Sequence, residues 1–161
     1  MKNLTTDVLQ ALDNLVVHPW EDFGGIGEHK RLIVDHCEGI YLRDSDGNRF
    51  IDGPGGMWCV NVGHGRQEIA DAMAEQAMTV CYSSPWSSGT SVSSLLAEKL
   101  QEISPGDLNH VFYATGGSSA VDAALRFVFF YNNALGRPEK KQIISRIGAY
   151  HGSTYLAATC S

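Results

Sequence analysis

Thr115-Gly116-Gly117-Ser118-Ser119 sets two adjacent glycines among three hydroxyl side chains, a composition suited to holding an anion. Glycine lets backbone N–H groups approach an oxygen with no Cβ in the way. The hydroxyls of Thr115, Ser118 and Ser119 add further donors. The run His110–Ala114 before the turn reads as a strand, and residues 119–135 after it read as a helix. The turn therefore sits at a strand-to-helix junction, where unpaired N–H groups and the positive end of the helix dipole suit a phosphate. A plain capped helix is the competing reading, because Ser119 precedes Asp122 by the three residues of a capping box, with Asp in place of the preferred Glu. The segment is neither Gly-Lys-Ser/Thr of a Walker A loop nor G-x-G-x-x-G, so neither nucleotide-binding route is supported.

A second junction adds weight. Gly148-Ala149-Tyr150-His151-Gly152-Ser153 follows another apolar run and brings an aromatic and an imidazole beside a glycine. Tyr150 could stack on a flat ring, and Gly152 would allow close backbone approach; simple packing of a Tyr-His pair is the alternative. Two ligand-type junctions in succession say more than either alone.

The elements that must position these residues follow from periodicity. Leu4, Val8, Leu12 and Leu15 mark a helix over 4–17, capped by Thr5 or Thr6 and ended by His18-Pro19. Residues 21–30 are a glycine-rich loop. Residues 32–35, 39–43 and 49–52 read as three short strands, with Asp44-Ser45-Asp46-Gly47-Asn48 as the turn between the last two, giving a small antiparallel meander. Gly53-Pro54-Gly55-Gly56 reads as a hinge or ligand-facing loop. Ile69, Met73, Ala77 and Val80 define the inward face of one amphipathic helix, and Val92, Leu95, Leu96, Leu100 and Ile103 that of another. Pro105-Gly106 stops the second. Val121, Leu125, Val128 and Phe129 point inward from the helix after the phosphate turn, and Gln142–Ile147 is the next strand. Strand, helix, strand at this spacing predicts a right-handed βαβ crossover in a parallel sheet.

Composition limits the function. The 161 residues are 43% hydrophobic and 19% charged, with a net charge of −6 and no basic run, which argues against nucleic acid or an anionic membrane surface as partner. No signal-peptide core opens the chain and no apolar run approaches bilayer length. Cys37, Cys59, Cys81 and Cys160 form no C-x-x-C pair and the six histidines are dispersed, so the expectation is free thiols in the cytoplasm and no metal site. Seventeen glycines exceed the usual share of roughly 7% and mark tight turns and close approaches. The last residues, His151–Ser161, look like a turn entering another element, so a truncated chain is expected.

The run from Phe112 through Thr115-Gly116-Gly117-Ser118-Ser119 to Arg126 resembles the phosphate-binding segment of class III pyridoxal-phosphate (PLP) aminotransferases. Gly148–Thr154 resembles their ring-stacking segment, and Asp52-Gly53 through Gly56-Met57-Trp58-Cys59-Val60-Asn61-Val62-Gly63-His64-Gly65 looks like the active-site entrance of the amine–pyruvate (ω-aminotransferase) branch. The similarity spans nearly the whole chain with the motifs in order. It implies an α/β fold of PLP fold type I: the N-terminal helix and meander, residues 1–55, would belong to a small domain, and residues 56–161 to the first part of a mostly parallel-sheet large domain. It also implies that Gly117 and Ser118 hold the phosphate with Gly116 beside them. Tyr150, next to His151 and Gly152, would stack on the ring. Trp58 would wall the substrate pocket with Trp20 nearby, and the loop of Pro85 and Trp86 would reach toward the partner subunit of a homodimer. Without the resemblance, the three tryptophans read as core. Gly116 and Ser119 depart from the family, where many relatives carry serine and glutamate.

The implied reaction moves an amino group from a small amine or ω-amino acid to a keto acid such as pyruvate. It needs a lysine joined to the cofactor and a carboxylate at the pyridine nitrogen. Neither Lys2, Lys30, Lys99, Lys140 nor Lys141 matches the family position, so the 161-residue chain is expected to be inactive by itself. The alternatives are a noncatalytic fragment contributing dimer contact and cofactor docking, and another PLP reaction, aminomutase or decarboxylase, on the same fold.

Overall fold

The computed structural model describes residues 4–161, so the Lys2 expectation lies outside the described residues. The chain divides into two compact units, Met1–Tyr82 and Ser83–Ser161, each considered by itself.

The first unit opens with helix α1 (Thr6–Asp13), shorter than its apolar spacing predicts. Thr5 stands at the N-cap without a side-chain bond. The helix unwinds well before Pro19, through the turn bonds Leu15 N–H to Leu12 O and Val16 N–H to Asp13 O. The loop beyond contains a short 3-10 turn, Phe23–Gly25, capped by the Asp22 carboxylate. Strands β1 (Val34–Glu38), β2 (Tyr41–Asp44) and β3 (Arg49–Ile51) form the expected meander in the order β1-β2-β3, antiparallel throughout. The first strand lies a little later than expected because its register is set against β2, Cys37 opposite Leu42 and Glu38 opposite Tyr41. Asp44 fixes the β2–β3 turn: its carboxylate accepts from the N–H groups of Asp46 and Asn48 and from the Asn48 amide.

Beyond the sheet come a single turn α2 (Gly55–Trp58) and helix α3 (Gln67–Thr79). The second unit holds α4 (Ser91–Ile103), α5 (Gly117–Ala134) and the short α6 (Tyr155–Thr159). Helix α4 starts at a reciprocal capping box between Thr90 and Ser93, and α5 packs on α6.

Two expectations need correction. Residues 110–114 and 142–146 carry no helix or strand and residue 147 lies in a turn, so neither run forms a ladder among the described residues and the βαβ crossover is not closed within this chain. A strand exists only through its hydrogen-bonded neighbour, and neither apolar run has one here; Ile144 and Ile147 are fully exposed. The inward faces expected of α3 and α4 are largely open, with Ile69, Met73, Val92, Leu95, Leu96 and Ile103 exposed, whereas on α5 Val121, Leu125 and Phe129 are half-buried and Val128 is exposed. Among the described apolar side chains, only Ala157 and Cys160 are buried. The chain exposes 13,520 Å², whereas two separate domains of half its mass would together expose about 9,500 Å². Helices α3 and α4 form from local pattern, but the described chain leaves most of their apolar stripes uncovered.

Candidate functional site

The turn at residues 115–119 is built as an open helix start. Helix α5 begins at Gly117, two residues before the Ser119 start read from sequence. Its N-cap is Gly116, with no side-chain cap. The first intrahelical bond runs from Ala120 N–H to Gly116 O, so the N–H groups of Gly117, Ser118 and Ser119 precede it and face out of the helix end. The Ser119–Asp122 capping box does not form. The Ser119 hydroxyl instead donates to Gly116 O at 2.8 Å, and the Asp122 carboxylate accepts Ala157 N–H at 2.7 Å, tying α5 to the start of α6.

Gly116 has a φ of 179°, extended backbone open to any residue. A Cβ added at Gly116 or at Gly117 would meet nothing within 4 Å. Neither the backbone nor the surrounding chain therefore requires glycine here.

Ser118 joins the two junctions. Its Oγ accepts Ser153 N–H at 3.0 Å, which leaves the hydroxyl proton available to another acceptor. Gly152 is buried against it: an added Cβ would lie 2.7 Å from Ser118 Oγ and 2.8 Å from both Ser118 Cα and Ala157 Cβ, at a φ of +137°. Only glycine fits there. Tyr150 is exposed, with its hydroxyl 2.8 Å from Ser153 Oγ, and His151 N–H donates to Ser161 Oγ at 2.9 Å. Gly116, Gly117, Ser118, Tyr150, His151 and Gly152 thus fall on two neighbouring turns that Ser118 clips together.

The tryptophans are not core residues of this chain: Trp20, Trp58 and Trp86 are 72%, 78% and 95% exposed. Trp86 rises from a serine-clasped turn, with Ser83 Oγ 2.8 Å from Ser88 Oγ and Ser88 Oγ donating to Ser84 O at 3.0 Å. Trp20 and Trp58 share a rarer feature. Among the described residues, the non-glycine positions with positive φ are Trp20 (59°), Met57 (58°) and Trp58 (66°). With Gly55 at 56° and Gly56 at 58°, the whole of α2 is a left-handed turn. Left-handed backbone costs an ordinary L-residue about 1–2 kcal/mol, and it persists only where the surroundings over-determine it.

Carboxylates that the sequence reading did not single out lie close in sequence to both positions. Near Trp20, Glu21 accepts His18 N–H at 3.2 Å and pairs with Arg31 at 2.8 Å. The Arg31 guanidinium holds the Glu21 carboxyl below its usual range, helped by the His18 amide. Near Trp58, Asp52 accepts from His64 Nε2 at 2.9 Å and from Gly56 N–H at 3.3 Å. The His64 hydrogen bond, then the Gly56 amide, hold the Asp52 carboxyl below its usual range. The available signal was an acid and a histidine bracketing a glycine-rich loop that ends in Gly63-His64.

Among the described residues, no group of three or more His, Cys, Asp and Glu could hold a metal ion, and no helix is long and apolar enough to cross a membrane.

Residues 26–161 match the family model of the class-III aminotransferases. The chain belongs to that family, whose members depend on PLP. As a class-III aminotransferase chain it is 37% identical over 137 residues to a putrescine–pyruvate aminotransferase of Pseudomonas aeruginosa, an alignment covering 84% of this chain and 30% of the relative. It is similar to the crystal structure of a thermostable (S)-enantioselective ω-transaminase from Thermomicrobium roseum, with TM-score 0.92 and 31% identity, covering 98% of this chain and 36% of that one. It is also similar to a thermostable ω-transaminase variant, PjTA-R6 with a tryptophan replaced by glycine, engineered for asymmetric synthesis of enantiopure bulky amines. That match has TM-score 0.90 and 34% identity, covering 95% of this chain and 34% of that one. The class-III chain described here therefore spans about a third of the length of these relatives and carries the N-terminal part of the fold-type-I architecture.

Proposed function

We propose that this chain supplies the cofactor handle and part of the substrate wall of a PLP-dependent aminotransferase, one that moves an amino group from a small amine or ω-amino acid to a keto acid such as pyruvate. The observation that carries the reading is the start of α5. Three N–H groups open outward beside two glycines that neither conformation nor neighbours require. A phosphate ester accounts for both features. PLP fits this donor set: Gly117 and Ser118 would hold the phosphate through backbone N–H, with Gly116 giving room and the Ser118 hydroxyl donating a proton. Tyr150 would lie on the ring face, with His151 beside it and Gly152 keeping its turn close to Ser118.

When bound, PLP supplies an electron sink for the bond being broken at the substrate carbon. The residues of this chain bind, orient and select. The amide and hydroxyl donors hold the phosphate against the helix dipole. Trp58 and Trp20 limit the size of the amine, and Trp86 reaches toward the partner subunit of a homodimer. The tryptophan-to-glycine change in the variant engineered for bulky amines supports a tryptophan as such a limit. In this reading residues 1–55 belong to the small domain and residues 56–161 to the large one. The four free thiols accord with a cytoplasmic enzyme.

No described lysine stands at either junction. Lys99 pairs with Glu102 on α4, and Lys141 donates to Asn133 Oδ1 at 2.6 Å. The 161-residue chain alone should therefore not transaminate. Supplying the full-length protein, expressed from the reading frame that contains this chain, with PLP, a small amine and pyruvate should yield alanine. No alanine from any amine would reject the aminotransferase reading. Borohydride reduction of the isolated chain with PLP should leave no adduct on one unique lysine.

A further inference from the structure

Residues 53–63 form a loop closed twice at its base. The outer closure is backbone: Asp52 N–H donates to Ile40 O at 2.9 Å, while Gly39 and His64 exchange bonds of 3.1 and 2.8 Å. Both loop ends are therefore pinned to the β1–β2 turn. Gly63, at φ +82°, lies so close that an added Cβ would sit 3.2 Å from Gly39 O. The inner closure is a side-chain hydrogen bond: Asp52 Oδ2 and His64 Nε2 lie 2.9 Å apart, with side chains only 9% and 23% exposed. The other Asp52 oxygen takes Gly56 N–H, the second residue of the left-handed turn. Inside the turn, Trp58 N–H donates to Pro54 O at 2.8 Å, and Cys59 and Val60 N–H both donate to Gly55 O at 3.0 Å.

The strained backbone of Met57 and Trp58 has no covering core, since both side chains are exposed. What over-determines it is this hydrogen-bond frame, in which Asp52 bonds both the sheet-pinned His64 and the Gly56 amide of the turn. We propose that the Asp52–His64 pair is a positioning latch that fixes the Trp58 indole through the left-handed turn, and so sets how bulky an amine the enzyme admits. This rests on the reading of Trp58 as substrate wall. Asp52 is a positioning residue, acting through Gly56 and the turn rather than on substrate.

Replacing Asp52 by Asn leaves an acceptor for Gly56 but removes the ionised partner of His64, and Met57→Gly removes the need for a latch at that position. The full-length holoenzyme should be labelled with 5-fluorotryptophan and the Trp58 fluorine line assigned through Trp58→Phe. In D52N the Trp58 line should broaden or split while the Trp86 line keeps its position. Adding Met57→Gly to D52N should restore one sharp line. In turnover, D52N should raise the ratio of kcat/KM for a bulky aryl amine over a compact amine about tenfold, chiefly through KM, with the double variant returning toward wild type. If D52N does not fold, His64→Gln, which keeps a neutral donor, replaces it in both measurements. An unperturbed Trp58 line in the folded variant would overturn the latch. So would loss of all fluorine lines' dispersion together, because that is a merely structural role. A wild-type protein with no transamination at all would sink the proposed function and leave the fluorine measurement to decide the latch.

Discussion

Two glycine-rich turns, residues 53–63 and residues 115–119, hold their shapes by different means. In the first, every residue of α2 has positive φ, two of them carry large side chains, and the Asp52–His64 hydrogen bond joins a set of backbone bonds around the turn. In the second, Gly116 is extended, the helix begins without strain, and the glycines touch nothing. In the proposed reading the first turn stores conformational cost to aim an indole. The second stores unused hydrogen-bond donors and leaves room beside them. A surface that discriminates between amines by shape needs a rigid wall, whereas a phosphate needs only convergent N–H groups and access.

The largest way to break this contrast is to strain the second turn. Gly152→Ala forces a Cβ to 2.8 Å from Ser118 Cα at a backbone angle of +137°. Overpacking of this kind costs about 1–3 kcal/mol. If the site absorbs that cost, PLP dissociation from the full-length protein should rise about 5- to 150-fold, read by absorbance titration of the apoenzyme. Ser118→Ala is gentler. It removes the acceptor of Ser153 N–H and one phosphate donor, and a hydrogen bond to a charged group is worth about 1.5–3 kcal/mol. An increase in the PLP dissociation constant of at least about tenfold is expected, with the protein still folded. PLP affinity unchanged in both variants would remove Ser118 and Gly152 from the cofactor site.

How much of this was visible beforehand depended on whether a feature is local. Helices α3, α4 and α5 were legible because amphipathic spacing and caps act within a few residues, as the Thr90 and Ser93 capping box illustrates. The meander was legible through its Asp44–Asn48 turn. The left-handed turn was not, since Met57 and Trp58 are side chains that normally exclude positive φ, and the Asp52 contact to Gly56 and its bond to His64 leave no local sequence mark. The runs at 110–114 and 142–147 carried a correct apolar pattern, yet a ladder depends on neighbours that the pattern does not supply. The turn at residues 115–119 was singled out by its composition as a proposed phosphate site, but the clip between Ser118 and Ser153 spans 35 residues and left no mark in either segment.

Single substitutions at the two turns should also move stability in instructive directions. Met57→Gly removes a side chain from left-handed backbone and should stabilise the full-length protein by up to about 1–2 kcal/mol, reduced by the extra freedom glycine gives the unfolded chain. Gly117→Ala replaces glycine at a helix position where Cβ has space, a change worth about 0.5–1 kcal/mol toward stability, while weakening PLP by crowding its phosphate. Urea midpoints measured beside PLP titrations separate the two. Opposite signs for stability and affinity at Gly117 support a ligand cradle, and parallel losses would mean that this glycine serves folding.

The smallest expected effect is a pH dependence confined to the latched turn. The folded-state pKa of Asp52 lies below its ordinary value of 3.8, owing first to the His64 hydrogen bond and then to the Gly56 amide. Because folding lowers the pKa, the ionised carboxylate contributes stability that is fully present above about 3.8 and is lost as pH falls through the lower folded value. Asn at this position cannot titrate, so the gap in urea midpoint between the wild-type protein and Asp52→Asn should be constant near neutrality and should close progressively below about pH 3.8. A gap that persists undiminished at lower pH would mean that the carboxylate's charge contributes nothing, and that shape alone holds the Trp58 turn.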